Sequence, residues 1–134
     1  MLIQLPGRLY DNYFLKAQEL RAKIAADFNK VLALPDVRPN SAGSVSTGGV
    51  DVLLHPAAVS TAPRLADMQS PQDGGVSEYV QDVLTTPISL AGLPSLSVPF
   101  STSSQDNMPI GVALTTQWGH DRLLWPVAEA LEAR

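Results

Sequence analysis

The chain has 134 residues, a net charge of -4 and no cysteine. That length fits one ordinary domain or part of a larger one. The missing cysteines exclude disulfides, thiolate zinc sites and a cysteine nucleophile, and the acidic balance argues against an electrostatic grip on nucleic acid. With 45% hydrophobic and 16% charged residues, the composition is that of a globular chain and not of a disordered one. No apolar run approaches the ~20 residues that span a bilayer. The N-terminus, MLIQLPGRLYDNYF, reads neither as a secretory signal nor as an amphipathic presequence, and Met1 reads as the start of a truncated or internally initiated chain.

In chain order, the spacing predicts a long amphipathic helix from about Tyr10 to Leu32. Tyr13, Ala17, Leu20, Ile24, Phe28 and Val31 recur at steps of three and four, on one face. Glu19 and Lys23 stand at i,i+4 in the favourable order, and Pro35 is the expected stop. Residues 35–49 are a Pro/Ser/Gly-rich loop. VDVLLHP, 50–56, is a short strand closed by Pro56. Residues 57–75 form a second, long loop. Ser77 offers an N-cap to a helix whose apolar face holds Val80, Val83 and Leu84. Thr86-Pro87 ends that helix and starts another, with Thr86 as N-cap and Pro87 at the first helical position. Gly92 stands where a left-handed C-cap belongs, and Pro94 bars continuation. Leu96 and Val98 alternate with Ser95 and Ser97 in a strand ending near Pro99. After the polar loop STSSQDNMP a further strand runs from Ile110 to Gln117. Asp121 is placed to cap a terminal helix reaching about Ala133, with Leu123, Leu124, Val127 and Leu131 inward. Pro126 requires that helix to adapt its first turn.

This order predicts an α/β layer structure, helices packed on a sheet. Three strands make a thin sheet, and their apolar character on both faces predicts that they belong within a wider one.

YDNYFLKAQELRAKIAADFNKVL, VDVLLHPA, YVQDVLTTPISLAGLPSLSVPF, MPIGVALTTQW and DRLLWPVAEALEA follow the order and spacing of the C-terminal region of the amidase-signature family. The chain resembles that family over nearly its whole length, apart from the two loops and the first few residues. The pattern Tyr-x-x-Asp-x-x-Thr-x-Pro-x-x-Leu-Ala-Gly-Leu-Pro, beginning at Tyr79, is the more specific part. Within the family the chain is most similar to the A subunits of glutamyl-tRNA(Gln) amidotransferases, the mitochondrial ones in particular.

The resemblance implies residues 1–134 as the C-terminal portion of the amidase-signature fold, a mixed sheet covered by helices and incomplete on its own. It implies the glutaminase subunit of a complex that converts Glu-tRNA(Gln) to Gln-tRNA(Gln) in mitochondrial translation. In the whole enzyme a serine attacks the amide of glutamine, helped by a second serine in a cis peptide and by a lysine. It needs N–H donors for the oxyanion. Those groups belong to the family's earlier two-thirds, so no catalytic residue is expected here and the chain alone is expected to be inactive. The implied partners are glutamine, a B subunit that uses ATP and Mg, and a small C- or F-type subunit. No cofactor, nucleic acid or membrane span is expected of this chain itself, and the mitochondrial location rests on the resemblance.

On pattern alone Asp82 is a solvated helix aspartate; by resemblance it matches the family position whose carboxylate pairs with the α-amino group of bound glutamine, and an ammonium held in a cleft does need an anionic partner. Tyr79, one turn earlier, either lines the same pocket or packs ordinarily. The family usually has Asn where Ser89 stands. The other tempting residues have plainer readings. His55 is a loop histidine, or a general base if a serine were near. His120 is solvated or a capping residue, and two distant histidines do not make a metal site. Trp118 and Trp125 are packing or subunit-contact residues. Ser44, Ser46, Thr47, Gly48 and Gly49 read as flexible loop, and neither glycine pair has the Lys-Ser/Thr of a phosphate-cradling loop. Two other functions remain open: a fragment of another amidase-signature hydrolase, or a non-catalytic interaction module derived from the fold.

Overall fold

The computed structural model of the chain describes residues 13–39, 47–63, 65, 80 and 82–133. Helix α1 (Leu15–Val31) is followed by strand β1 (Val52–Pro56), a 3-10 turn (Asp82–Leu84) and the short helix α2 (Thr86–Ala91). Strands β2 (Ser95–Thr102) and β3 (Pro109–Thr116) come next, then a 3-10 turn (Asp121–Leu123) leading into helix α3 (Leu124–Glu132). The expected α/β layering is present.

The sheet has the order β1-β3-β2 and both pairings are antiparallel. Val52 lies opposite Thr116 and Pro56 opposite Val112; Ser95 lies opposite Thr115 and Pro99 opposite Gly111. Because side chains alternate across a strand, one face presents Val52, Leu96, Val98, Val112 and Leu114, which pack against Leu124, Val127, Ala128 and Leu131 of α3. The opposite face offers Leu53 to a second core, formed by Leu32, Ile88, Ala91 and Leu93 with Ile24, Ala25 and Phe28 of α1. β3 is thus buried from Val112 through Thr116, as a central strand covered on both faces should be. β1 and β2 keep one edge each outside this pairing.

Several boundaries differ from expectation for physical reasons. The helix stops at Val31, before Pro35 can act. Leu32 turns extended and makes a parallel bridge with Val50, through Ala33 N–H to the Val50 carbonyl and Val50 N–H to the Val31 carbonyl, both 2.9 Å. A tertiary contact ends this helix, and proline does not. The apolar stripe is only half used: Ile24 and Phe28 reach the core, whereas Tyr13, Leu20 and Val31 are exposed.

β2 continues past Pro99 to Thr102 by a bulge, since Pro99 pairs with Gly111 and Ser101 with Ile110. Phe100 is the extra residue. The N-cap of α2 is Thr85 and not Thr86, which places Pro87 within the first turn. Gly92 is the left-handed C-cap, with φ 74 and ψ 29. Asp121 does not cap α3: it opens the 3-10 turn, and no side-chain cap hydrogen bond is present there. That turn brings Pro126 into the third position of α3, where its missing N–H removes no intrahelical bond. The proposed Ser77 cap lies outside the described residues, as does most of loop 57–75.

Candidate functional site

Asp82 is the first residue of the 3-10 turn that precedes α2. Its backbone carbonyl accepts two hydrogen bonds from one residue: Thr85 N–H at 3.1 Å and Thr85 Oγ1 at 3.3 Å. Thr85 then passes the chain into α2, its own carbonyl accepting from Ser89 N–H at 3.0 Å. The far end of α2 is held by Arg21 of α1, whose Nε donates to the Leu90 carbonyl at 2.7 Å. A cation at the end of a helix is well placed, because it meets unpaired carbonyls. The turn is therefore anchored at its base, while the Asp82 residue itself is exposed.

Its neighbours in sequence, Val80 and Val83, are each about half exposed. An exposed carboxylate beside apolar side chains has the chemistry to meet a cation. Tyr79 lies outside the described residues. Ser89 is exposed on α2.

One histidine departs from its sequence reading and the other keeps part of it. His55 is inside β1, half-buried, and not in a loop. Its Nδ1 donates to the Pro56 carbonyl at 2.8 Å, and its Nε2 lies 3.4 Å from Thr115 Oγ1, which contacts Ser95 Oγ at 3.1 Å. His120 holds the N-cap position of the 3-10 turn, as one of its sequence readings has it, but makes no side-chain cap hydrogen bond: its Nε2 donates to the Pro35 carbonyl at 3.0 Å. Among the described residues no three of His, Cys, Asp and Glu gather as a metal site would require, and no helix is long and apolar enough to cross a membrane.

One cluster was missed in the sequence. Asp36 is buried, accepts Arg38 N–H at 3.0 Å, and pairs with the Arg38 guanidinium through Nε at 3.0 and 2.9 Å. This hydrogen bonding holds the guanidinium pKa above its ordinary value. The same guanidinium lies 5.9 Å from the Trp118 ring centroid, a cation–π distance. Together with His120, it fastens part of loop 35–49 to the turn after β3. The signal was the i,i+2 Asp-x-Arg spacing after Pro35, which is the spacing of an Asx turn.

Compared with known proteins, residues 3–125 match the family model described as Amidase. The chain belongs to the amidase family. Among similar members of that family, the A subunit of the mitochondrial glutamyl-tRNA(Gln) amidotransferase of Mycosarcoma maydis is 46% identical over 132 residues, covering 97% of this chain and 24% of that protein. The mitochondrial A subunit of Tuber melanosporum is 38% identical over 130 residues, covering 96% and 26%. The crystal structure of the A subunit from Thermotoga maritima superposes with a TM-score of 0.63 at 32% identity, over 84% of this chain and 20% of that one. A 6-aminohexanoate cyclic dimer hydrolase shares the fold, with a TM-score of 0.66 at 24% identity. This amidase chain thus spans about a quarter of the length of the curated relatives it matches. Its three antiparallel strands and flanking helices are one portion of the amidase fold.

Proposed function

We propose that these residues form the C-terminal part of the glutamine-hydrolysing A subunit of a glutamyl-tRNA(Gln) amidotransferase, working in mitochondrial translation. The observation that carries the reading is the 46% identity to the Mycosarcoma maydis protein over 97% of the chain. Asp82, anchored by its backbone and open at its side chain, supports it. In this reading Asp82 takes the α-ammonium of glutamine and so fixes where the side-chain amide lies. Residues outside this chain supply the serine nucleophile, its base relay and the oxyanion donors. Walls from the same source close the pocket, lower its dielectric and strengthen the ion pair.

The ammonia released goes to a B subunit, with a small C- or F-type subunit completing the complex. ATP and Mg belong to that partner, and no step of theirs is assigned to this chain. A hydrolase for apolar amides is the poorer fit, because an anion placed to read an amino-acid head group would be wasted there.

Steady-state kinetics of the full-length protein with Asp82→Asn test the reading. Loss of one partner from a desolvated ion pair costs about 3 kcal/mol, so KM for glutamine should rise about 100-fold. Hydrolysis of an aliphatic amide lacking the α-amino group should be unaffected. An unchanged KM for glutamine would remove Asp82 from the site.

A further inference from the structure

Thr85 occupies the N-cap of α2, yet its side chain makes no cap hydrogen bond. The local sequence supplies a reason. An N-cap hydroxyl normally accepts from the N–H groups two or three residues on, and the first of these positions is Pro87, which has no N–H. The Thr85 hydroxyl instead points backward and donates to the Asp82 carbonyl at 3.3 Å, alongside the residue's own N–H at 3.1 Å. Two donors from one half-buried residue converge on a single carbonyl oxygen. The peptide plane following Asp82 is thereby fixed relative to α2, which Arg21 clamps at its other end.

We propose that Thr85 is a positioning residue for Asp82: its hydroxyl locks the turn that aims the Asp82 carboxylate at an α-ammonium-bearing substrate. This rests on the reading of Asp82 given above. The hydroxyl touches no substrate and moves no proton. Its effect is to hold in place the backbone from which the exposed Asp82 side chain projects. Restricting an anion that must meet a cation in one geometry affects binding, since the ordering is already done before the ligand arrives.

The experiment is the steady-state kinetics of Thr85→Val, Thr85→Ser and Asp82→Asn in the full-length protein, with the double variant Asp82→Asn/Thr85→Val. Thr85→Val keeps the shape and the backbone N–H and removes only the hydroxyl; Thr85→Ser restores it. The expected result is a rise of about 5-fold in KM for glutamine for Thr85→Val, with kcat within about 2-fold, and recovery in Thr85→Ser. Added to Asp82→Asn, Thr85→Val should raise KM no further, because the two act through one contact. If Thr85→Val fails to fold, Thr85→Ala carries the same comparison without β-branched bulk. KM unchanged in the hydroxyl-free variant while Asp82→Asn raises it would overturn the positioning role and leave Asp82 standing. KM unchanged in both would overturn Asp82 itself.

Discussion

Gln117 donates from Nε2 to Asn29 Oδ1 at 2.8 Å, joining the end of β3 to a helix 88 residues earlier in the chain. The same side chain accepts Trp118 N–H through Oε1 at 2.9 Å and is 1% exposed. Both ends of a buried amide are thus satisfied, one by long-range and one by local structure. Gln117→Leu fills a similar volume but leaves the Trp118 N–H unmet. The expected loss is about 2 kcal/mol, read as a lower denaturation midpoint with an unchanged slope.

The Asp36–Arg38 pair should respond unequally to removal of its two members. The Asp36 side chain is 3% exposed and that of Arg38 34%. Without Asp36 the guanidinium can be hydrated where it stands, and it keeps the Trp118 face. Without the Arg38 side chain the buried carboxylate loses the guanidinium and keeps its other bonds, the N–H of residue 38 among them. Arg38→Ala is therefore expected to cost about 3 kcal/mol and Asp36→Ala about half of that, measured by equilibrium unfolding. Equal losses would mean that the buried charge is held by other groups.

Three glycines should rank by what a methyl group would meet. At Gly49 a Cβ would come within 2.5 Å of the Val31 carbonyl oxygen and 2.8 Å of Ala33 N, both backbone atoms of the Leu32–Val50 bridge. At Gly119, with φ +88, it would overlap the Val37 side chain; at Gly48, with φ +107, it would meet open space. Gly48→Ala should cost only the left-handed strain, about 1 kcal/mol. Gly119→Ala should cost more and be partly rescued by Val37→Ala. Gly49→Ala should be the most damaging, because backbone cannot step aside. Thermal midpoints of the three variants give the order.

Glu19 lies between Lys23, at 2.7 Å, and Lys16, at 2.9 Å. Hydrogen bonds from Lys23 first and Lys16 second pull its pKa from 4.5 to about 2. A depressed folded-state pKa contributes stability above the unfolded value of 4.5, and that contribution fades as pH falls from there through about 2. The side chain is about half exposed, so the effect on stability is small and sensitive to salt. An NMR titration of the Glu19 carboxyl should give a midpoint near 2, moving upward in Lys23→Met and in high salt.

Much of the layering was legible because it rests on local pattern. The alternation of Leu96 and Val98 with serines marks β2, and the Gly92-Leu93-Pro94 stop marks the end of α2. The Glu19–Lys23 pair follows from spacing alone. The misread features depend on partners distant in the chain. Val31 ends α1 because Val50 is there to pair with, which no propensity encodes. Tyr13 and Leu20 belong to a helical stripe that nothing described covers. The strand holding His55 is the one its segment predicts, and only the reading of His55 itself as a loop residue fails, because Ala113 lies opposite it. For the candidate site, the role proposed for Asp82 comes from family resemblance; its isolated signal is that of any helix-end aspartate. The Thr85 contact was hidden because the sequence places the cap at Thr86, whereas Thr85 takes that position and turns its hydroxyl back to the Asp82 carbonyl.

The central claim is that these 134 residues hold one side of a glutamine pocket while the bond-breaking groups lie elsewhere. Ammonia release from glutamine by the purified chain, compared with the full-length protein, tests it most directly. The expected result is no release above background from the chain and robust release from the full-length protein. Release that scales with the concentration of the purified chain, and disappears when one of its own serines is replaced, would contradict the claim.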